Sequence, residues 1–231
     1  ATIWSDDGIA IRMPEGETSL DGVEDLLFPD PDDGEDLVAG QLLYLAAGAL
    51  LLAASLQVLA RQREGFTLVI VLGGACWVIG TALWAFGAPV YRVVAWWIAF
   101  LVLTIAGERL ELSRFLPPSV TARRAFAGIV VLLLGSLAAW PLAGAPHAFG
   151  MALLALAAWL LKQDIARRTV KQQGLTRFIA VCLLSGYFWL AVGGGVIAFA
   201  GLAPGNPAYD AALHALLLGF VFSMVFGHAP I

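Results

Sequence analysis

LVAGQLLYLAAGALLLAASLQVLA, residues 37–60, runs for twenty-four residues without a charged side chain and is then closed by Arg61 and Arg63. A hydrocarbon core about 30 Å thick needs about 20 apolar helical residues to cross it, with a range of roughly 17 to 25. A helix apolar on nearly every side has no place on the surface of a soluble fold. This stretch therefore predicts a transmembrane helix.

The same pattern recurs along the chain, at 66–88, 90–107, 125–143, 146–161, 178–202 and 208–231. The expected fold class is all-α, a polytopic bundle of about seven transmembrane helices over 37–231. The fifth stretch is the shortest and needs Lys162 to snorkel to the interface, or local tilt or thinning of the bilayer. Composition points the same way: 60% apolar, 13% charged, mean hydropathy +0.85. An ordinary soluble domain carries about 45–50% apolar and about 25% charged residues. A soluble enzyme is excluded, no catalytic residue is assigned, and no basic patch exists on which a nucleic-acid module would rest.

The charges are segregated. Twelve of the seventeen acids precede Leu37, while eleven of the thirteen bases fall after the first, third and fifth stretches. Those bases are Arg61 and Arg63; Arg109, Arg114, Arg123 and Arg124; and Lys162, Arg167, Arg168, Lys171 and Arg177. Basic residues in short loops are retained on the cytoplasmic side, so the N-terminus is expected outside and the seventh helix to run inward. Gly87, Pro89, Pro117, Pro118, Pro141, Pro146, Pro204, Gly205 and Pro207 fall at the expected helix ends. Cys76 and Cys182 lie inside apolar stretches, where a thiol acts as a small hydrophobe.

Residues 1–36 are acidic and largely irregular in expectation, with 30–36 a solvated linker. No basic region followed by an apolar segment and a cleavage site marks a signal peptide. The run Ile3-Trp4-Ser5-Asp6-Asp7-Gly8-Ile9, followed by Ile11 to Glu15 and Glu24 to Pro31, resembles a short segment of Lhr-type helicases. No motor motif accompanies it, so no helicase activity is implied.

Ionisable groups within membrane spans are costly and are functional suspects for that reason. Here they are His147, His214, His228 and Glu108. On an α-helix the fourteen residues from His214 to His228 place the two rings about 40° apart in phase and about 21 Å apart along the axis. Leu218, Val221 and Val225 lie between them on that face. Such imidazoles suit haem iron or copper in an apolar slot, with His147 a further ligand at the His214 level. The competing reading is that each ring donates to a backbone carbonyl or polar neighbour. Glu108, Arg109, Glu111 and Arg114 form a self-neutralising helix end, from which Glu108 could turn inward as a proton acceptor. Pro230 should kink or stop the last helix beside His228. Ala215, Gly219, Ser223 and Gly227 form a small-residue stripe for close packing, with Gly193, Gly194 and Gly195 as a complementary surface.

The run from His214 to Pro230, with Ile105 to Arg114, is similar to NnrS-like membrane proteins, a group associated with haem, copper and the bacterial response to nitric oxide. The resemblance implies a bacterial inner-membrane location, haem or copper as cofactor, and His214 and His228 as binding positions. Members of that group are longer and spread their histidines over more spans. Ala1 in place of Met, and the stop at Ile231 inside a helical run, lead to the expectation of a fragment. The alternative is a small-solute transporter or a membrane-complex assembly subunit without metal. The partners expected are the lipid bilayer and, in the assembly reading, other membrane subunits.

Overall fold

The computed structural model describes residues 2–4, 10–12, 33–112, 119–140 and 142–229. Most of the acidic leader therefore lies outside the described residues, as do Arg114, Pro117, Pro118, Pro141 and Pro230, to which the sequence assigns turn, charge or kink roles. The chain divides into two units, Ala1–Leu42 and Leu43–Ile231. In the first, β1 (Thr2–Trp4) and β2 (Ala10–Arg12) pair antiparallel with Ile3 opposite Ile11, and α1 (Asp33–Arg61) begins.

The described elements of the second unit are all helices. After α1 come α2 (Gly65–Ala85), α3 (Val90–Leu112), α4 (Val120–Ala138), α5 (Ala145–Gln163), the single turn α6 (Ala166–Thr169) and α7 (Leu175–Ala200). The last span is composite: α8 (Pro207–Leu213), a π-helical segment (His214–Val221) and α9 (Phe222–His228). Seven helices among the described residues are long and apolar enough to cross a membrane, and the chain is a multi-pass all-α bundle.

Several helices run beyond the limits of the apolar stretches, for local reasons. α3 continues to Leu112, so Glu108 and Arg109 sit in its last turns. α4 starts at Val120 because Ser119 caps it, its Oγ accepting the Ala122 N–H at 3.2 Å. This places Arg123 and Arg124 in its first turn. α8 starts at Pro207 behind Asn206, whose Oδ1 accepts the Ala208 N–H at 3.0 Å. α7 is bounded by Gly174 (φ 65°) and Gly201 (φ 74°), left-handed positions that a side chain would strain. α5 has 19 residues, about 28 Å, which spans the hydrocarbon without much tilt.

Between lipid-facing helices, apolar burial gives little net drive, and close backbone approach through small residues takes over. α5 and α7 meet at Gly150 and Gly194: a Cβ on Gly194 would lie 2.9 Å from Leu153 Cβ and from the Leu154 nitrogen, and one on Gly150 would strike the Ala198 main chain. α7 meets the last span the same way. A Cβ on Gly193 would lie 2.6 Å from Leu216 Cγ, and one on Gly219 2.5 Å from Trp189 Cγ, so the small-residue stripe is a packing surface. α2 and α3 approach at Gly80, where a Cβ would lie 2.8 Å from Trp96 Cβ, and at Gly107, 2.8 Å from Ile70 Cγ1. The core between these contacts holds Ile98, Leu103, Phe149, Leu153, Leu156, Leu190, Ile197 and Phe220, all nearly inaccessible. Leu50, Leu56 and Val58 of α1 stay exposed, as lipid-facing residues should.

Gly194→Ala should force α5 and α7 apart and cost about 1–3 kcal/mol, as overpacking does. Gly128→Ala, with nothing within 4 Å of the added methyl, should be neutral. Thermal unfolding in detergent checks both: a clear drop in Tm for the first only is expected, and equal Tm values would contradict glycine-mediated packing.

Candidate functional site

Three spans run in the same direction, the third, fifth and seventh, so their C-terminal ends gather at one end of the bundle, the end that the basic residues assign to the inside. Each end brings a polar group. α3 brings Glu108 and Arg109, the end of α5 brings Asp164, and α9 brings His228. Tyr187 enters from the middle of α7.

Arg109 is the unexpected member. The sequence reads it as part of a solvated helix end, yet its side chain is only 8% exposed. The reason is helical phase. The extended α3 carries position 109 on the same face as Val102 and Ala106, both buried in the core. A guanidinium taken out of water must be answered by hydrogen bonds. Its Nη2 meets His228 Nε2 at 2.6 Å, while its buried Nε has no hydrogen-bond partner among the described residues.

The chemistry of the pair follows from the other imidazole nitrogen. His228 Nδ1 lies 2.9 Å from the Met224 carbonyl oxygen, which can only accept, so Nδ1 carries the proton. Neutral His228 then offers the lone pair of Nε2, and Arg109 donates to it. Glu108 Oε2 stands 3.5 Å from the same Nε2. Its side chain is 46% exposed and that of His228 36%, so Glu108 reaches toward the boundary while Arg109 lies inside. If Nε2 takes up a proton it loses its capacity to accept from Arg109 and gains the capacity to donate to Glu108. One ring thus has two mutually exclusive partners on α3.

A second link anchors the same level of the bundle. The Tyr187 hydroxyl donates to Asp164 Oδ2, and Asp164 Oδ1 accepts the N–H of Ala166, the first residue of α6, at 2.8 Å. Next to Tyr187, Gly186 receives the Met224 side chain, so the Tyr187–Asp164 bond lies beside the residue whose carbonyl orients His228. Asp164 and Tyr187 escape sequence reading as site residues because they are twenty-three positions apart and neither belongs to a motif. The only signal was that Asp164 is one of five acids beyond residue 36.

The other histidines lie elsewhere. His214 is exposed, with Nδ1 2.7 Å from the carbonyl oxygen of Asp210 on its own span. His147 is exposed, with Nδ1 2.9 Å from the Ala198 oxygen of α7. The carbonyl contacts weighed as the competing reading are present at all three rings. The π segment begins at His214, so the α-helical phase relating His214 to His228 does not apply. Leu218 and Val225 are exposed, whereas Val221 is partly buried against the core, so the three do not form one slot-lining face. As a metal ligand His228 fits poorly, because its Nε2 faces a buried cation at 2.6 Å. His147 and His214 have an arrangement that metal-binding rings also use, Nδ1–H on a carbonyl and Nε2 turned away. Among the described residues no three His, Cys, Asp or Glu side chains form a metal shell.

No curated protein and no solved structure matches the chain. A family model described as a domain of unknown function, DUF8744, matches residues 27–231 and so takes in the end of the acidic leader together with all seven spans. The chain belongs to the DUF8744 family.

Proposed function

We propose that this protein is a proton-coupled transporter of a small solute in the bacterial cytoplasmic membrane, with His228 as the group that takes up and releases the proton. The observation that carries this reading is the placement of His228 Nε2 between Arg109 Nη2 at 2.6 Å and Glu108 Oε2 at 3.5 Å. Imidazole is the side chain whose charge ordinarily changes within the physiological pH range. Half-exposed Glu108 gives the proton a way in from the boundary, and buried Arg109 holds the unprotonated state. With His228 neutral, Glu108, Asp164 and Arg109 sum to one negative charge; a proton on His228 neutralises the set. Because Arg109 and Glu108 belong to α3 and His228 to α9, the exchange of partners changes the contact between the third and seventh spans. A ligand shifts a conformational equilibrium only through such differential contacts.

The test places a bimane probe on Ala229→Cys and a quenching tryptophan at Leu112→Trp, in a background with Cys76 and Cys182 replaced by Ala. Quenching should change when the pH is taken from about 8 to about 5.5. The change should vanish in His228→Gln and shrink in Glu108→Gln. An unchanged response in His228→Gln, or none in the parent, would overturn the proposal.

A second reading is favoured by the anchoring of His147 and His214. With Nδ1 held by a carbonyl, each can offer Nε2 to haem iron or copper, the cofactors implied by the resemblance to NnrS-like proteins and their nitric oxide response. Protein purified in detergent would then carry stoichiometric haem or copper, by absorption spectrum and metal analysis, that falls in His214→Ala or His147→Ala and persists in His228→Gln. Metal-free, folded protein would remove this reading.

A further inference from the structure

Between the fifth and sixth spans lies a cavity of about 410 Å³, lined by Lys162, Gln163, Asp164, Ile165, Arg167 and Arg168. The end of α5 and the single turn α6 wrap three cations around one side of it. Its one carboxylate is already engaged at both oxygens, Oδ1 by the Ala166 N–H and Oδ2 by the Tyr187 hydroxyl. Among the described residues, no carboxylate lies within ion-pair distance of Lys162, Arg167 or Arg168, and all three are exposed. The cavity therefore keeps a net charge of about +2 and uncommitted N–H donors, with the Gln163 amide beside them.

The surroundings decide what kind of anion it fits. The cavity sits where a transmembrane helix ends, at the headgroup level. Ile165 (48% exposed) lines the cavity itself, and Leu161 (44%), one residue before Lys162 in the last turn of α5, is exposed as well. A free phosphate has no use for that apolar flank, whereas a phosphodiester attached to acyl chains uses both. Basic pockets next to membrane spans on the cytoplasmic side are suited to anionic headgroups. We infer that this cavity binds the headgroup of an anionic phospholipid, with Lys162, Arg167 and Arg168 on the phosphodiester and the acyl chains along Leu161 and Ile165. The site stands apart from the proton reading of His228. The two meet only through Asp164, which lines the cavity and holds Tyr187.

The experiment uses the full chain, stripped of lipid in detergent, with dioleoylphosphatidylglycerol, dioleoylphosphatidylcholine and inorganic phosphate as separate probes read by native mass spectrometry. Phosphatidylglycerol should be retained as one tight adduct and phosphatidylcholine should not. Combined Lys162→Gln, Arg167→Gln and Arg168→Gln should weaken the adduct about a hundredfold, about fivefold per basic side chain. Arg167→Gln alone, which removes no hydrogen bond among the described residues, should weaken it about fivefold. Arg123→Gln with Arg124→Gln, near the start of α4, should leave it unchanged. The proposal is overturned if both lipids bind alike, if the triple variant stays within about threefold of the parent, or if phosphate displaces the lipid at equal concentration.

Discussion

A buried guanidinium sets the terms at one end of this bundle. Arg109 is almost inaccessible, and outside water a cation is held only by partners aimed at it. The partner comes from the last helix of the chain, 119 residues away. For His228 to arrive there, α9 must pack on α7, and α7 must pack on α5. Those approaches run through Gly227 against Cys182 and Leu183, Gly186 against Met224, and Gly194 against Leu153. The glycine contacts and the polar cluster are thus parts of one arrangement: the first set the distances, the second depends on them.

This arrangement also explains why the last span is composite. A π-helical segment is rare and occurs most often at functional sites. Here it covers His214–Val221, between the α8 turns that follow Asn206 and the α9 turns that carry Met224 and His228. It resets the helical phase before α9, so that Met224 reaches Gly186 and His228 reaches Arg109, while Leu218 and Val225 face outward. The extension of α3 to Leu112 supplies the other half of the contact, because a helix ended at Gly107 would leave Arg109 in an irregular connection.

Span number was legible in the sequence because hydropathy is local and additive: each run of about twenty apolar residues announces itself. The polar cluster was legible only in part. His228 and Glu108 stood out as ionisable groups near span ends, but Glu108 does not turn inward: its side chain is 46% exposed and only its carboxylate edge approaches His228. Arg109 was misjudged as solvated, since its burial depends on which face of α3 meets the last span, a tertiary fact. The π segment has no residue signature, so a regular α phase misled about His214 and His228. Asp164 and Tyr187 meet through the folding of a basic connection that no periodicity describes. The small-residue stripe was legible because four-residue spacing and lipid surroundings leave it few other uses.

The central claim is that one imidazole, protonated at Nδ1 toward Met224, accepts from Arg109 and passes to Glu108 when Nε2 gains a proton. Nitrogen-15 solid-state NMR of imidazole-labelled protein in bilayers, with the His228 signals assigned by their loss in His228→Gln, reads this state directly. At alkaline pH the expected spectrum has a protonated Nδ1 and an unprotonated, hydrogen-bonded Nε2 for His228, with both nitrogens protonated on acidification. A neutral His228 carrying its proton on Nε2 would contradict the account, since that tautomer can neither accept from Arg109 nor donate to the Met224 carbonyl.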